Sequence, residues 1–405
     1  MKTNAKVALT SITLILGLAL AGPARAQVPT SRPTSSAIPE KPDAHQKPEH
    51  LTQPKRPAKA LELSKKHWYQ RFVFDAFIDG YYSVNFNFPK PERNTVLRGF
   101  DTANGFALHW AGLDVTYPTE PIGATISLRL GPGALRFNGN DADHEVGLEY
   151  LDQAFVSYRP VSWLQLDFGK FGTIFGAEVG ESQRNFNYTR GGLNWLAQPF
   201  FHTGLRAAVN VGDKLTITAL AVNGWNNTLD NNTMKSFGLQ AALTLGPISV
   251  TAGYLMGPEE DEVDANGAEV DGANERLRHF VDLIVGVDAG ALQLLLNADF
   301  GAEDKGEEHQ LWYGVSVAAQ YSFAKRFAVA YRFEYINDPD GWMTSTADLW
   351  LLTNTLTLGV SIADHLLIRL DGRLDYANKE VCHEGATGFS KTQETLTLGV
   401  VVFAG

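Results

Sequence analysis

From Phe72 to its carboxyl end the chain repeats one unit, about ten residues in which every second side chain is apolar and the others are Gly, Ser, Thr, Asn, Gln or charged. A period of two sends alternate side chains to opposite faces of an extended backbone. Ile122, Ala124, Ile126, Leu128 and Leu130 share one face, and Gly123, Thr125, Ser127 and Arg129 share the other. The same division sets Leu164, Leu166 and Phe168 against Gln165 and Asp167, and Phe327, Val329, Tyr331, Phe333 and Tyr335 against Arg326, Arg332 and Glu334. It is sharpest where Leu366, Ile368, Leu370, Leu374 and Tyr376 oppose Arg369, Asp371, Arg373 and Asp375.

Alternation alone leaves two architectures open, because a soluble sandwich shows the same pattern with its apolar face turned inward. Length and aromatic placement separate them. Runs of about ten residues are what a strand needs to cross a bilayer at a tilt of about 45°. Tyr117, Trp163, Tyr254, Tyr321, Tyr335 and Tyr376 lie at or near run ends, where an amphipathic ring sits at headgroup depth. No stretch after residue 26 approaches the apolar length of a membrane helix, so a membrane could be crossed only by a closed barrel, which leaves no strand edge in hydrocarbon.

Sixteen strands are placed at 72–82, 106–117, 122–131, 150–159, 163–171, 201–211, 215–223, 236–246, 248–256, 279–288, 291–301, 311–322, 326–335, 353–361, 366–376 and 394–403, with counts of 14 and 18 left open. The connections between them alternate. Long ones (83–105, 132–149, 172–200, 224–235, 257–278, 302–310, 336–352, 377–393) are separated by short turns such as Pro118-Thr119-Glu120-Pro121, Gly212-Asp213-Lys214 and Ala363-Asp364-His365. Eight long connections on one rim and seven short turns on the other are the signature of up-and-down threading. The expected fold is therefore all-β, a transmembrane antiparallel up-and-down β-barrel of about 16 strands whose third long loop folds inward. Both chain ends are expected on the short-turn, periplasmic side.

The 405-residue chain begins with Lys2 and Lys6, an apolar run from Val7 to Ala21, and Ala24-Arg25-Ala26, the pattern of a secretory signal peptide over 1–26. Residues 27–60 carry Pro29, Pro33, Pro39, Pro42, Pro48, Pro54 and Pro57 among polar residues and are expected to form a disordered periplasmic segment, leaving 61–405 as the barrel domain. Asp and Glu outnumber Lys and Arg by 45 to 34, which disfavours nucleic acid as a partner. Cys382 is the single cysteine, so no intrachain disulfide forms.

A barrel of this width stays wet inside, and charges are tolerated on its inner face. Arg129, Asp167, Arg206, Arg332, Glu334, Arg369, Asp371, Arg373 and Asp375 are the lumen-wall candidates, with Arg326, Asp282 and Asp299 also on polar faces. The long third connection mixes apolar Ile174, Phe175 and Val179 with Glu178, Glu181, Arg184, Asn185, Asn187 and Arg190, which are the candidates for a constriction. Opposed charges there would set weak selectivity, and the net acidity, concentrated in Glu259-Glu260-Asp261-Glu262 and around Glu303 to Glu308, favours cations. No catalytic, cofactor or metal site is expected. His144, His279, His309, His365 and His383 lie apart without ligand spacing, Asp264-Ala265-Asn266-Gly267 lacks the EF-hand spacing, and Cys382 beside His383 is not a dyad with an oriented base.

Several segments carry a family resemblance. Asp79-Gly80-Tyr81-Tyr82 with Asn85, Arg98-Gly99-Phe100-Asp101 with Asn104 and Phe106, and Gly169-Lys170-Phe171-Gly172 with Gly176 and Glu178 resemble the OmpL-like β-barrel porins of Gram-negative bacteria. So do Asn185-Phe186-Asn187-Tyr188-Thr189-Arg190 and Gln198-Pro199-Phe200-Phe201-His202-Thr203-Gly204. The resemblance covers about 72–405, and its most specific motifs fall in the first half. It implies an outer-membrane pore, with Asn185, Asn187 and Arg190 corresponding to the family's Asn-x-Asn-x-x-Arg stretch. The expected partners are outer-membrane lipid and lipopolysaccharide, small polar or ionic solutes, and, by analogy with other sixteen-stranded pores, a homotrimer. The alternative is a structural or adhesive barrel, or a channel component partnered with another envelope protein, that conducts little.

Overall fold

A computed structural model describes residues 67–404 apart from 91–93, 95–96, 100, 103, 139–146, 265 and 307. The expected signal peptide and Pro-rich segment lie outside the described residues. Fifteen strands follow in order: β1 (Val73–Asn85), β2 (Gly105–Tyr117), β3 (Ile122–Leu130), β4 (Leu151–Val161), β5 (Leu164–Gly172), β6 (Phe201–Val211), β7 (Leu215–Val222), β8 (Ser236–Leu245), β9 (Ile248–Pro258), β10 (Leu277–Ala289), β11 (Leu292–Lys305), β12 (Glu308–Phe323), β13 (Phe327–Asp338), β14 (Leu349–Ile362) and β15 (Leu366–Ala377). After the short hairpin of β16 (Cys382–Glu384) and β17 (Gly388–Ser390), β18 (Thr392–Ala404) pairs with both β15 and β1. Each barrel strand is antiparallel to its neighbours, and Ala76 opposite Ala404 closes a cylinder of sixteen strands with no free edge.

The cylinder is inside-out relative to a soluble protein. Apolar side chains face outward, with Ile126 51%, Phe168 66% and Leu398 42% exposed, while the neighbouring polar positions Arg129, Asp167 and Thr397 are buried. Polar groups can turn inward because they meet one another and the loops there, whereas on the outer face they would meet lipid.

The short turns follow from local geometry. Ala324 and Lys325, and likewise Ala363 and Asp364, take positive φ in succession, the backbone of a two-residue turn that matches the right-handed twist of its strands. Arg326 belongs to the first of these turns and is exposed, so it is no part of the lumen wall, contrary to its expected polar-face position. The strand chemistry that brings it near the alternating pattern simply ends before β13 begins at Phe327.

At the opposite rim several strands run further than the apolar pattern marks. β12 starts at Glu308 and β14 at Leu349, beyond the expected 311 and 353. Pairing there continues above the apolar belt, where side chains such as Glu308 and His309 contact water and alternation carries no signal. Two short helices, α1 (Pro132–Asn138) and α2 (Gly192–Ala197), lie within long connections.

Candidate functional site

The third long connection, 173–200, begins and ends on strands bent at a glycine pair. Gly169 on β5 and Gly204 on β6 are register partners with φ of +134° and +151°. A Cβ at either would lie 2.2 or 2.3 Å from the carbonyl oxygen of Ala154 or Ala221, so only glycine permits this approach.

From those strands the connection runs along the inward-facing side of the wall. Gln240 on β8 donates to the Ile174 carbonyl, and Phe175 packs edge-on against Phe280 of β10. Glu178 pairs with Arg332 on β13, whose Nη1 also donates to the Thr189 carbonyl at 2.7 Å. Glu334 accepts the Gly192 and Leu193 amides at 3.0 and 3.2 Å. On β15 Asp371 accepts the Thr189 amide and hydroxyl at 2.8 and 2.9 Å, and Arg373 donates to the Arg190 carbonyl at 2.7 Å. Arg369 donates to the carbonyls of Ser182 and Asn187, and Asn187 donates to Thr357 on β14 at 2.7 Å. Asp79 on β1 accepts the Tyr188 hydroxyl at 2.6 Å and the Ser182 hydroxyl at 2.7 Å. Finally Glu181 pairs with Arg129 on β3, which also holds Asp114 at 2.7 Å and Asp152 at 3.4 Å.

The wall charges thus serve the loop as much as one another. Cross-strand or same-strand pairs do occur, with Arg206 2.9 Å from Asp167 and Arg373 2.7 Å from Asp375. Yet Arg332, Arg369, Arg373, Glu334 and Asp371 each also bond loop backbone, through the carbonyls of Thr189, Ser182, Asn187 and Arg190 and the amides of Thr189, Gly192 and Leu193. Charge-assisted bonds of this kind are stronger than neutral ones and fix geometry as well as energy. Buried apolar residues complete the seat. Ile174, Phe175, Leu193 and Ala197 join Phe280, Trp312 and Ile336 in one cluster, and Tyr188 joins Phe77, Tyr81 and Trp110 in a second.

The candidate residues sort by exposure. Asn185, Asn187 and Arg190 are buried; Asn185 closes the loop on itself through the Val179 amide and carbonyl, and Arg190 bonds the Tyr188 carbonyl and the His109 ring, both at 2.9 Å or, for Asn185, at 3.0 and 2.7 Å. Glu181 is also buried, whereas Glu178, Gln183 and Arg184 keep part of their surface open. On the wall Arg159, Gln165 and Arg206 are likewise half-buried, with Arg206 lying over the Phe171 ring at 4.5 Å. Sequence reasoning missed Asp79, His109, Asn297 and Gln198 as loop anchors. Asp79, His109 and Asn297 stand on strands and Gln198 in the loop itself, and nothing in the chain marks which atom each would meet. Arg98 was noticed only through the family motif; it bonds Asp101 and, at 2.6 Å, Thr395.

At the rim of the long connections Glu259, the residue after β9, accepts the Trp225 amide at 2.6 Å and the Ser236 hydroxyl at 2.9 Å, tying the fourth long connection to the fifth. Burial pushes this carboxyl up to about 7, with Arg278 pulling the other way. A carboxyl raised on folding binds its proton more tightly when folded, so the stability it contributes is fully present below the ordinary glutamate range and lost as pH rises through about 7, because the desolvation of the ionised form outweighs its two donors. Protease cleavage within 224–235 should therefore rise several-fold between about pH 6 and about pH 9. Glu259→Gln should remove that pH dependence, and identical profiles for the two proteins would show that Glu259 does not control the contact.

Among the described residues no group of three or more His, Cys, Asp and Glu is arranged to hold a metal. His279 bonds the Tyr254 hydroxyl and His309 pairs with Asp304, while His144 lies outside the described residues. Burial pushes the Cys382 thiol up to about 12, which leaves it a poor nucleophile beside His383.

Residues 71–403 match the protein family described as "Putative beta-barrel porin-2, OmpL-like", and the chain belongs to that family. No curated protein sequence matches it. Among solved structures it is similar to the outer membrane channel DcaP of Acinetobacter baumannii, with 10% identity, a TM-score of 0.55, and coverage of 82% of this chain and 97% of that one. OmpT of Vibrio cholerae gives 13%, 0.54, 82% and 97%, and the anion-selective porin from Comamonas acidovorans gives 11%, 0.53, 82% and 99%. At these identities the likeness is one of fold. The family and this fold make the chain an outer-membrane porin-type barrel.

Proposed function

We propose that this porin passes small polar solutes and ions passively, with weak charge selectivity, through a passage between the loop 173–200 and the β4–β6 wall. The observation that carries this reading is that Glu178, Gln183 and Arg184 on the loop and Arg159, Gln165 and Arg206 on the wall all keep part of their surface open, even though Glu178 is paired with Arg332 and Arg206 with Asp167. Glu181, Asn185, Asn187 and Arg190 then act behind the passage, holding the loop's shape. Both termini face the periplasm, the long connections meet lipopolysaccharide, and the apolar belt meets lipid. A homotrimer is supported by analogy, since one solved form of the Vibrio OmpT is described as a trimer. The acidic outer connections favour a mild preference for cations.

The test is a planar bilayer recording of the purified protein in a salt gradient. Steady open-channel current with a cation-side reversal potential is expected, and Arg184→Gln should move that potential further toward cations. A chloride-dominated current would overturn the preference, and an unmoved potential in Arg184→Gln would take Arg184 out of the passage. One observation favours the second reading, of a barrel with little conductance of its own: the loop is packed by two apolar clusters. Folded protein that carries no current would establish that reading instead.

A further inference from the structure

Both stems of the loop converge on three side chains of the wall: Asp282 on β10, and Asn297 and Asp299 on β11. Asp282 and Asp299 are direct register partners, Asn297 stands opposite Ile284, and the three are buried, at 0%, 4% and 5% exposure for Asp282, Asn297 and Asp299. The Asn297 amide nitrogen donates to Asp282 Oδ1 at 2.7 Å and to Asp299 Oδ1 at 3.0 Å. Its oxygen accepts the Ala177 amide at 3.0 Å and Gln198 Nε2 at 2.8 Å. The remaining carboxylate oxygens take the Gly176 amide at 3.2 Å and Gln198 Nε2 at 2.6 Å.

The orientation of Asn297 is forced by chemistry. Only the amide oxygen can accept the Ala177 backbone N–H, and that leaves the NH2 group for the two acidic side chains. The stems are also packed on one another, since Gly176 has a φ of +84° and a Cβ there would lie 2.1 Å from Gln198 Oε1. Elsewhere the loop is held by ion pairs, Glu178 with Arg332 and Glu181 with Arg129. Here, among the described residues, neither carboxylate forms an ion pair with a basic group. The groups packed around the cluster are Gln198 and Phe175 of the loop, Gln240 of β8, Gly253 of β9 and Gly314 of β12, none of them a cation.

We infer that Asn297 is the positioning residue of the passage, a neutral clasp that joins the beginning and the end of the loop to one point of the wall. The inference rests on the porin reading for its effect on flow, while the clasp itself can be read without current. Asn297→Asp keeps the acceptor that Ala177 and Gln198 use but replaces the donor by a third carboxylate between two others. In full-length protein of unchanged heat-modifiable gel mobility, it should raise open-channel current fluctuations several-fold and shift the reversal potential. Adding Asp299→Asn restores one donor and one acceptor and should return the quiet trace, a rescue that a merely structural lesion would not give. Amide hydrogen exchange across 176–198 should rise in Asn297→Asp and fall again in the double variant. Asn297→Ser, which removes the bridge without adding charge, serves if Asn297→Asp does not fold. Unchanged exchange in either single variant, or no recovery in the double one, would overturn the clasp. If the wild type conducts nothing, only the porin reading fails and the exchange experiment still decides.

Discussion

Replacing residues 177–197 with a short Gly-Ser linker is expected to raise single-channel conductance several-fold and to erase most charge selectivity, with the barrel still folded. A sixteen-stranded wall alone encloses a wide aqueous channel. In the proposed reading it is narrowed by one connection, whose hydrogen bonds and contacts reach residues of strands from β8 round to β3. Excision would strand Asp79, Glu334, Asp371, Arg332, Arg369 and Arg373, but it would also admit water to them, and a hydrated charge costs little. Two wall pairs need no loop atom, Arg332 with Glu334 at 3.3 Å and Arg373 with Asp375 at 2.7 Å. The barrel's own ladder is continuous from β1 to β18 and uses no residue of the excised segment, so the barrel is expected to close without it. Conductance equal to the wild type would place the passage elsewhere and remove the loop from any role in selectivity.

The same contrast explains what the chain alone discloses. Strand number, face and order are legible because each strand writes its environment locally: Leu370 must meet lipid and Asp371 must not, and neither fact depends on a distant partner. The length of 173–200 and its apolar Ile174 and Phe175 are what suggest an inward segment in the sequence, and both side chains are buried. Pairings across the bore are not legible. Glu178 and Arg332 meet only after the sheet closes, and nothing near either residue names the other. Arg184 and Arg190 show the same limit, being equivalent candidates in sequence, one half-open and the other buried against His109. The β16–β17 hairpin and the helices α1 and α2 are too short to display a period of their own.

The largest effect on assembly is expected from placing Arg on the outer face at mid-strand. Val317 on β12 and Leu398 on β18 are 46% and 42% exposed, and both lie near the middle of their strands. In lipid each substitution to Arg should cost about 2–4 kcal/mol, because the guanidinium must be dragged to the interface or bring water and headgroups in with it. The two sites lie on strands far apart around the cylinder, so their costs should add. The double variant Val317→Arg, Leu398→Arg would then lose about 4–8 kcal/mol, a large part of the ~5–15 kcal/mol that keeps a typical protein folded. Its folding into vesicles, read by heat-modifiable mobility, should largely fail. Gln320→Arg, on the inner face of the same strand β12, serves as the control, because Gln320 is half-buried on the water side and bonded to Gln293 at 3.2 Å. That variant should fold as the wild type does. The opposite pattern, with outer-face arginines tolerated and the inner one rejected, would mean that the apolar rows pack into a dry interior. The same chemistry that lets Arg129, Arg332 and Arg373 stand inside the cylinder is what forbids a guanidinium on its outside.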